Sequence, residues 1–107
     1  MHLMGIDVGT TSVKTAVFDE DLNMLKSSLV DYTVEAHGDI VEFEATKYWD
    51  IVKGEIDGAE LSIDALAIDT QCETLIVTDE NDSPLMNAIV WLDNRAAKQA
   101  DEITYPV

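Results

Sequence analysis

Apolar and polar positions are grouped along this chain first in short β-like runs and then at helical spacing. Leu3-Met4-Gly5-Ile6-Asp7-Val8 is a short apolar run that ends at Gly9, and Val13-Lys14-Thr15-Ala16-Val17-Phe18 is a second run rich in β-formers. The residues between them, Gly9-Thr10-Thr11-Ser12, are turn formers, so the pair predicts a β-hairpin. Asp19-Glu20-Asp21-Leu22-Asn23 is a second polar turn, after which Met24 to Tyr32 returns as a third strand. Three consecutive antiparallel strands are therefore expected.

Val34 to Phe43 carries Gly38 and mixed polarity without a clean period, which predicts an irregular connection with a short extended piece. From Glu44 the pattern changes: Tyr48, Trp49, Ile51, Val52 and Ile56 stand at helical spacing, and Gly58 supplies a stop, which predicts a helix of about three turns. Tyr48 and Trp49 are adjacent, so they cannot both hold the centre of one face and one belongs at its margin. Ile63 to Asp69 reads as a buried strand with an acidic residue at its carboxyl end, and Leu75 to Thr78 as another, closed by the turn Asp79 to Pro84. Ala88 to Leu92 is a further apolar stretch. Asn94 or Asp93 is placed to cap a final helix through Ala96, Ala97, Ala100 and Ile103, ending before Pro106. Strands, a helix, more strands and a helix make an α/β chain, and no linker divides it.

Composition narrows the class. A chain of 107 residues buries roughly two-thirds of its unfolded surface, enough for one domain or part of one. With 47% hydrophobic and 26% charged residues and no repeated or low-complexity tract, a globular fold is expected. Six Lys and Arg against 22 Asp and Glu give a formal charge of −16, a field that repels nucleic acid and anionic membranes, so neither is expected as a partner. A single cysteine, Cys72, forms no internal disulfide, and no leader pattern or long apolar run is present, so a cytoplasmic location is expected. His2 and His37 are isolated and lack ligand spacing.

The segment richest in chemistry is Ile6-Asp7-Val8-Gly9-Thr10-Thr11-Ser12-Val13-Lys14. It sets a carboxylate at a strand end, a residue without a side chain two positions on, three hydroxyls in the turn and an ammonium on the returning strand. Each part suits the phosphates of a nucleotide: Gly9 permits close backbone approach, the turn amides and the hydroxyls of Thr10, Thr11 and Ser12 donate, and Lys14 adds positive charge. Asp7 faces a polyanion sensibly only with Mg²⁺, or a magnesium-bound water, between them. The same residues also suit a plain turn with a solvated strand end, and the pattern alone does not separate the two. Neither a Walker-type loop nor a G-x-G-x-x-G fingerprint is present, so a phosphate site here is a hairpin.

Gly5 to Lys14 resembles the phosphate hairpin that opens the FGGY carbohydrate kinases, members of the actin-like, ribonuclease H-like ATPase superfamily. Three later segments agree in order. Gly38, Glu42 and Trp49 look like the family's glycine, glutamate and helix tryptophan, although Glu44-Ala45 replaces the usual aspartate-proline helix start. Ala67 to Thr74 is similar to the family's strand and substrate loop, closest to its glycerol-kinase form, and Ala88 to Arg95 resembles the next segment, where a tryptophan and nearby polar residues line the sugar or polyol pocket.

The resemblance implies a partial actin-like α/β domain, three antiparallel strands followed by a helix and further strands. It implies that Asp7, Gly9, Thr10, Thr11, Ser12 and Lys14 face the Mg²⁺-phosphate end of ATP, with Asp7 on the metal side. It places Gln71, Cys72, Glu73, Trp91 and Asp93 near a small polyhydroxylated substrate. Cys72 departs from the arginine of glycerol kinases and from the Met-His pair of many pentulose kinases; a thiol donates weakly, which argues against glycerol itself. Glu73 can still accept from two vicinal hydroxyls.

In the family the base that takes the substrate's proton is an aspartate far downstream, and the adenosine loops lie in a second domain. The resemblance therefore implies an amino-terminal fragment without a catalytic residue, inactive alone, marginally stable or self-associating where its sheet lacks a cover. The alternative the hairpin leaves open is a fragment of a non-metabolic actin-like ATPase or scaffold; an acidic interaction module rests on the charge alone.

Overall fold

The computed structural model describes residues 1–103, and the strict alternation of the first two runs is realised in it strand by strand. β1 (Leu3–Val8) and β2 (Ser12–Phe18) pair antiparallel, and Met4, Ile6 and Val8 are buried on the same side as Val13, Thr15 and Val17. β3 (Met24–Asp31) adds to β2, with a register shift between Val17 and Phe18. The turn before it is tied by Asp19, whose Oδ1 accepts the amides of Asp21 and Asn23.

The segment expected to be irregular is a second hairpin, β4 (Glu35–His37) and β5 (Ile40–Phe43). Gly38 makes the reversal at φ +61, a conformation that costs glycine little and other residues more. With the two-residue β7 (Ala88–Ile89) on the far side of β5, these strands form a small sheet of their own, β4-β5-β7.

α1 (Ala45–Asp57) follows Glu44, which caps it without a side-chain bond, and Gly58 closes it by donating to the Gly54 carbonyl at 2.8 Å. Ala45 and Val52 are buried, and Tyr48, Ile51 and Ile56 pack against the core beside them. Trp49 is the residue left at the margin, 61% exposed. α1 lies across β1 and β2. At that interface the half-buried Glu55 accepts from the buried Thr15 hydroxyl at 3.0 Å, so the polar group among the apolar ones is satisfied.

β6 (Ala65–Thr70) runs parallel to β1 and completes the order β3-β2-β1-β6. It was expected to be buried and is exposed along its length, Leu66 and Ile68 included. The reason is topological: it is an edge strand, and the helix covers β1 and β2 instead. Leu75 to Thr78 forms no ladder, only isolated bridges from Leu75 to Ile89 and from Thr78 to Pro84, because its two ends pair with different segments, the Leu85 amide beside the second bridge donating to the Val77 carbonyl at 2.9 Å. The stretch Ala88 to Leu92 is β-paired only at its start; Ala88 and Val90 are buried while Trp91 and Leu92 are exposed. α2 (Ala97–Glu102) begins after Ala96 rather than at Asn94 or Asp93. Asp93 is unavailable as a cap because its carboxylate is engaged elsewhere, and the expected stop at Pro106 lies outside the described residues. Among the described residues, no helix is long and apolar enough to cross a membrane.

Candidate functional site

The turn after β1 is shaped from behind. Gly9 donates its amide to the Ser12 carbonyl at 2.9 Å, and a Cβ at Gly9 would stand 3.1 Å from that oxygen, so the turn itself leaves little room for a side chain. Tyr32, just past β3, donates its amide to the Thr11 carbonyl at 2.9 Å and its hydroxyl to the Gly9 carbonyl. Burial pushes the Tyr32 phenol up to about 12, and the neighbouring Tyr48 and the Asp7 charge add to the effect, so it remains a donor across the physiological range. Its ring is steadied by Phe43 at 4.8 Å and by the edge of Tyr48 at 5.7 Å. Tyr32 was absent from the candidates read from sequence; the only signal is register, which sets the residue after β3 beside the β1–β2 turn.

The front of the turn is open. Thr10 and Ser12 are half-buried and Thr11 is exposed. Among the described residues the amides of Thr10 and Thr11 have no partner within the chain. Asp7 and Lys14 are exposed and stand opposite each other in the β1–β2 register, yet neither makes an ion pair among the described residues. On the other side of Asp7 the parallel register sets Asp69, which the sequence marked only as an acidic strand end. These three charges line a groove of about 780 Å³ on the sheet face away from α1. No cluster of three or more His, Cys, Asp or Glu side chains that could hold a metal ion occurs among the described residues.

Because β1 and β6 are parallel, their carboxyl ends lie side by side, the edge at which open α/β sheets bind ligands. Gln71 continues β6 there, donating its amide to the Val8 carbonyl at 2.8 Å and its side-chain amide to the Tyr48 hydroxyl at 3.2 Å. Gln71 Oε1 and Thr74 Oγ1 are buried without partners among the described residues, beside a cavity of about 390 Å³ bounded also by Tyr48, Trp49 and Ile68. Cys72 and Glu73 are exposed, and Glu73 takes φ +67, a left-handed backbone that is strained for a residue with a Cβ.

Trp91 reaches the β1–β2 turn directly: its indole N–H donates to Thr10 Oγ1 at 2.8 Å. Asp93 faces inward. Its carboxylate accepts the Val41 amide at 2.7 Å and the Arg95 guanidinium at 2.7 and 2.9 Å, and Arg95 also binds Glu42 at 2.8 Å. Its placement makes it an anchor for the Trp91 segment on β5.

The hydrogen-bonded Arg95 guanidinium holds Asp93 well below the usual carboxylate range, the Val41 and Arg95 amides lower it further, and Glu42 is lowered by Arg95 and then Asn87. Both folded-state values lie below the unfolded ones. The stabilisation is therefore complete above the unfolded carboxylate value of about 4 and is lost as pH falls below it. Asp93→Asn is accordingly expected to lower the melting temperature most near neutral pH, with the gap to the parent closing below about pH 4; a gap independent of pH would contradict this.

Residues 2–106 match the model of the FGGY family of carbohydrate kinases, N-terminal domain. The chain is similar to the glycerol kinase of Borreliella afzelii, 33% identical over 112 residues that cover 96% of this chain and 22% of that protein. It is similar to the xylulose kinase of Lactococcus lactis, 28% identical over 111 residues, with the same two coverages of 96% and 22%. Among solved structures, Plasmodium falciparum glycerol kinase with ADP superposes with a TM-score of 0.83 at 26% identity, over 98% of this chain and 23% of that one. The chain thus spans about a fifth of the length of the curated relatives it matches.

Proposed function

Since this chain belongs to the FGGY family of carbohydrate kinases, we propose that the protein carrying it transfers the γ-phosphoryl group of ATP to a hydroxyl of a small sugar or polyol, and that these residues supply the phosphate turn and one wall of the substrate pocket. The observation that carries the reading is that, among the described residues, Asp7 and Lys14 make no ion pair and the Thr10 and Thr11 amides of the turn they flank have no partner, with the Gln71–Glu73 loop on the adjacent strand end. The family match sets aside the non-metabolic actin-like scaffold.

In this reading the outward amides and the hydroxyls of Thr10, Thr11 and Ser12 donate to phosphate oxygens, and Lys14 offsets their charge. Asp7, exposed and without a cationic partner, fits a place facing Mg²⁺ or its water shell. Bound there, Mg²⁺ would neutralise phosphate charge and lower the repulsion from a chain of net charge −16. Gln71, Cys72, Glu73 and Trp91 face the substrate side. The strained backbone of Glu73 supports a positioned acceptor for vicinal hydroxyls, since such strain persists where the surroundings over-determine it. Proton removal and adenine binding fall to parts of the protein beyond these residues.

Relatives of both glycerol and xylulose specificity match this chain, so identity does not rank substrates. ADP release by the full-length protein, measured over a panel of polyols, pentuloses and hexuloses, is expected to be stimulated by at least one of them; no stimulation across the panel would overturn the proposal. Thr10→Ala is expected to weaken nucleotide binding by about 1.5–3 kcal/mol, roughly 10- to 150-fold, through loss of a hydrogen bond to a charged oxygen. Titration calorimetry with Mg-ADP measures it directly.

A further inference from the structure

The contact between Trp91 and Thr10 joins two segments 81 residues apart that the reading above assigns to different ligands. An indole nitrogen only donates, so Thr10 Oγ1 accepts in this bond. The hydroxyl's own proton is then directed to another acceptor, and the open side of the turn is where phosphate oxygens would lie. The indole is well supported for a side chain 48% exposed. Val90, before it, is 1% exposed and donates its amide to the Val41 carbonyl at 3.0 Å, and Asp93, after it, accepts from the Val41 amide. The chain on either side of Trp91 is thus fixed on β5 and the indole nitrogen on Thr10, while the exposed half of the residue is available to stack against the carbon skeleton of a polyol.

We propose that Trp91 is a positioning residue for the phosphate-binding hydroxyl of Thr10, so that a substrate packed on the indole face orders the donor that meets the nucleotide. This rests on the kinase reading and goes beyond it. Linkage requires the coupling to be reciprocal: substrate tightens ATP, and ATP tightens substrate, by the same factor. It also gives the enzyme a reason to bind ATP productively when the acceptor is present.

The test is made in the full-length protein with Trp91→Phe, which keeps a stacking ring and removes the N–H. The KM for ATP is expected to rise about 5- to 10-fold while the KM for the sugar or polyol changes less than about 2-fold, and the factor by which substrate tightens Mg-ADP is expected to fall towards one. Thr10→Ser, which retains the oxygen, keeps the sensitivity to Trp91→Phe. Thr10→Val removes it, so the Trp91→Phe and Thr10→Val double variant binds ATP no worse than Thr10→Val alone. Multiplicative effects in the double variant, or a Trp91→Phe enzyme with parental ATP kinetics and parental coupling, would overturn the proposal while leaving the kinase reading intact. Absence of ATP-dependent turnover in the parent would sink both.

Discussion

Asparagine in place of Asp7 is expected to lower the kcat of the full-length protein with Mg-ATP by roughly 10²- to 10³-fold, the scale seen when one preorganised electrostatic contact to a reacting group is removed. The carboxylate stands exposed at the end of β1, between Lys14 on one strand and Asp69 on the other. Neither an ion pair nor a hydrogen bond occupies it among the described residues, so the substitution costs the fold little and the effect falls on activity. Its signature is a raised magnesium requirement, read by titrating Mg²⁺ at fixed ATP, with the melting temperature near that of the parent. Parental kcat and parental magnesium dependence would remove Asp7 from the metal side of the site.

The largest loss of stability is expected from Phe43→Ala. Phe43 is 6% exposed and packs between Tyr32 at 4.8 Å and Tyr48 at 4.7 Å. Truncating a buried phenylalanine costs about 3–5 kcal/mol, because transfer free energy is lost and the neighbours close the space only in part. Against a total of about 5–15 kcal/mol for an ordinary domain, that is a large share. The damage also reaches the site, since Tyr32 loses one of the rings that hold its hydroxyl on Gly9. Denaturant unfolding measures the first effect. A loss below about 1 kcal/mol would mean that this aromatic cluster contributes little to the fold.

The amino-terminal strands were legible because local and global preferences agree there. Alternation in Leu3 to Val8 and Val13 to Phe18 fits a two-layer packing under α1, and Gly9-Thr10-Thr11-Ser12 suits the turn between them. The β4–β5 hairpin was hidden because Glu35, Ala36 and His37 are all exposed and carry no apolar period; only Gly38 signalled the reversal. Burial of β6 was misread for the opposite reason. Ala-Leu-Ala-Ile is apolar on both faces, which is how a central strand reads, but here it lies at the sheet edge. The cap of α2 failed because Asp93 bonds to Val41, 52 residues away, and a sequence window does not contain that partner. The residues proposed for the site were visible as chemistry, whereas the links between them, Tyr32 to Gly9 and Trp91 to Thr10, are tertiary and leave no periodic trace.

The double grip of Tyr32 on the carbonyls of Gly9 and Thr11 has an electrostatic consequence. Both oxygens are drawn to the rear of the turn, while the N–H groups of Thr10 and Thr11 remain at its front. In the Gly9–Thr10 peptide unit the negative pole is thereby masked and the positive pole, the Thr10 N–H, left bare among the described residues, a fixed polarity that a strongly acidic chain can offer an anion without adding a single cation.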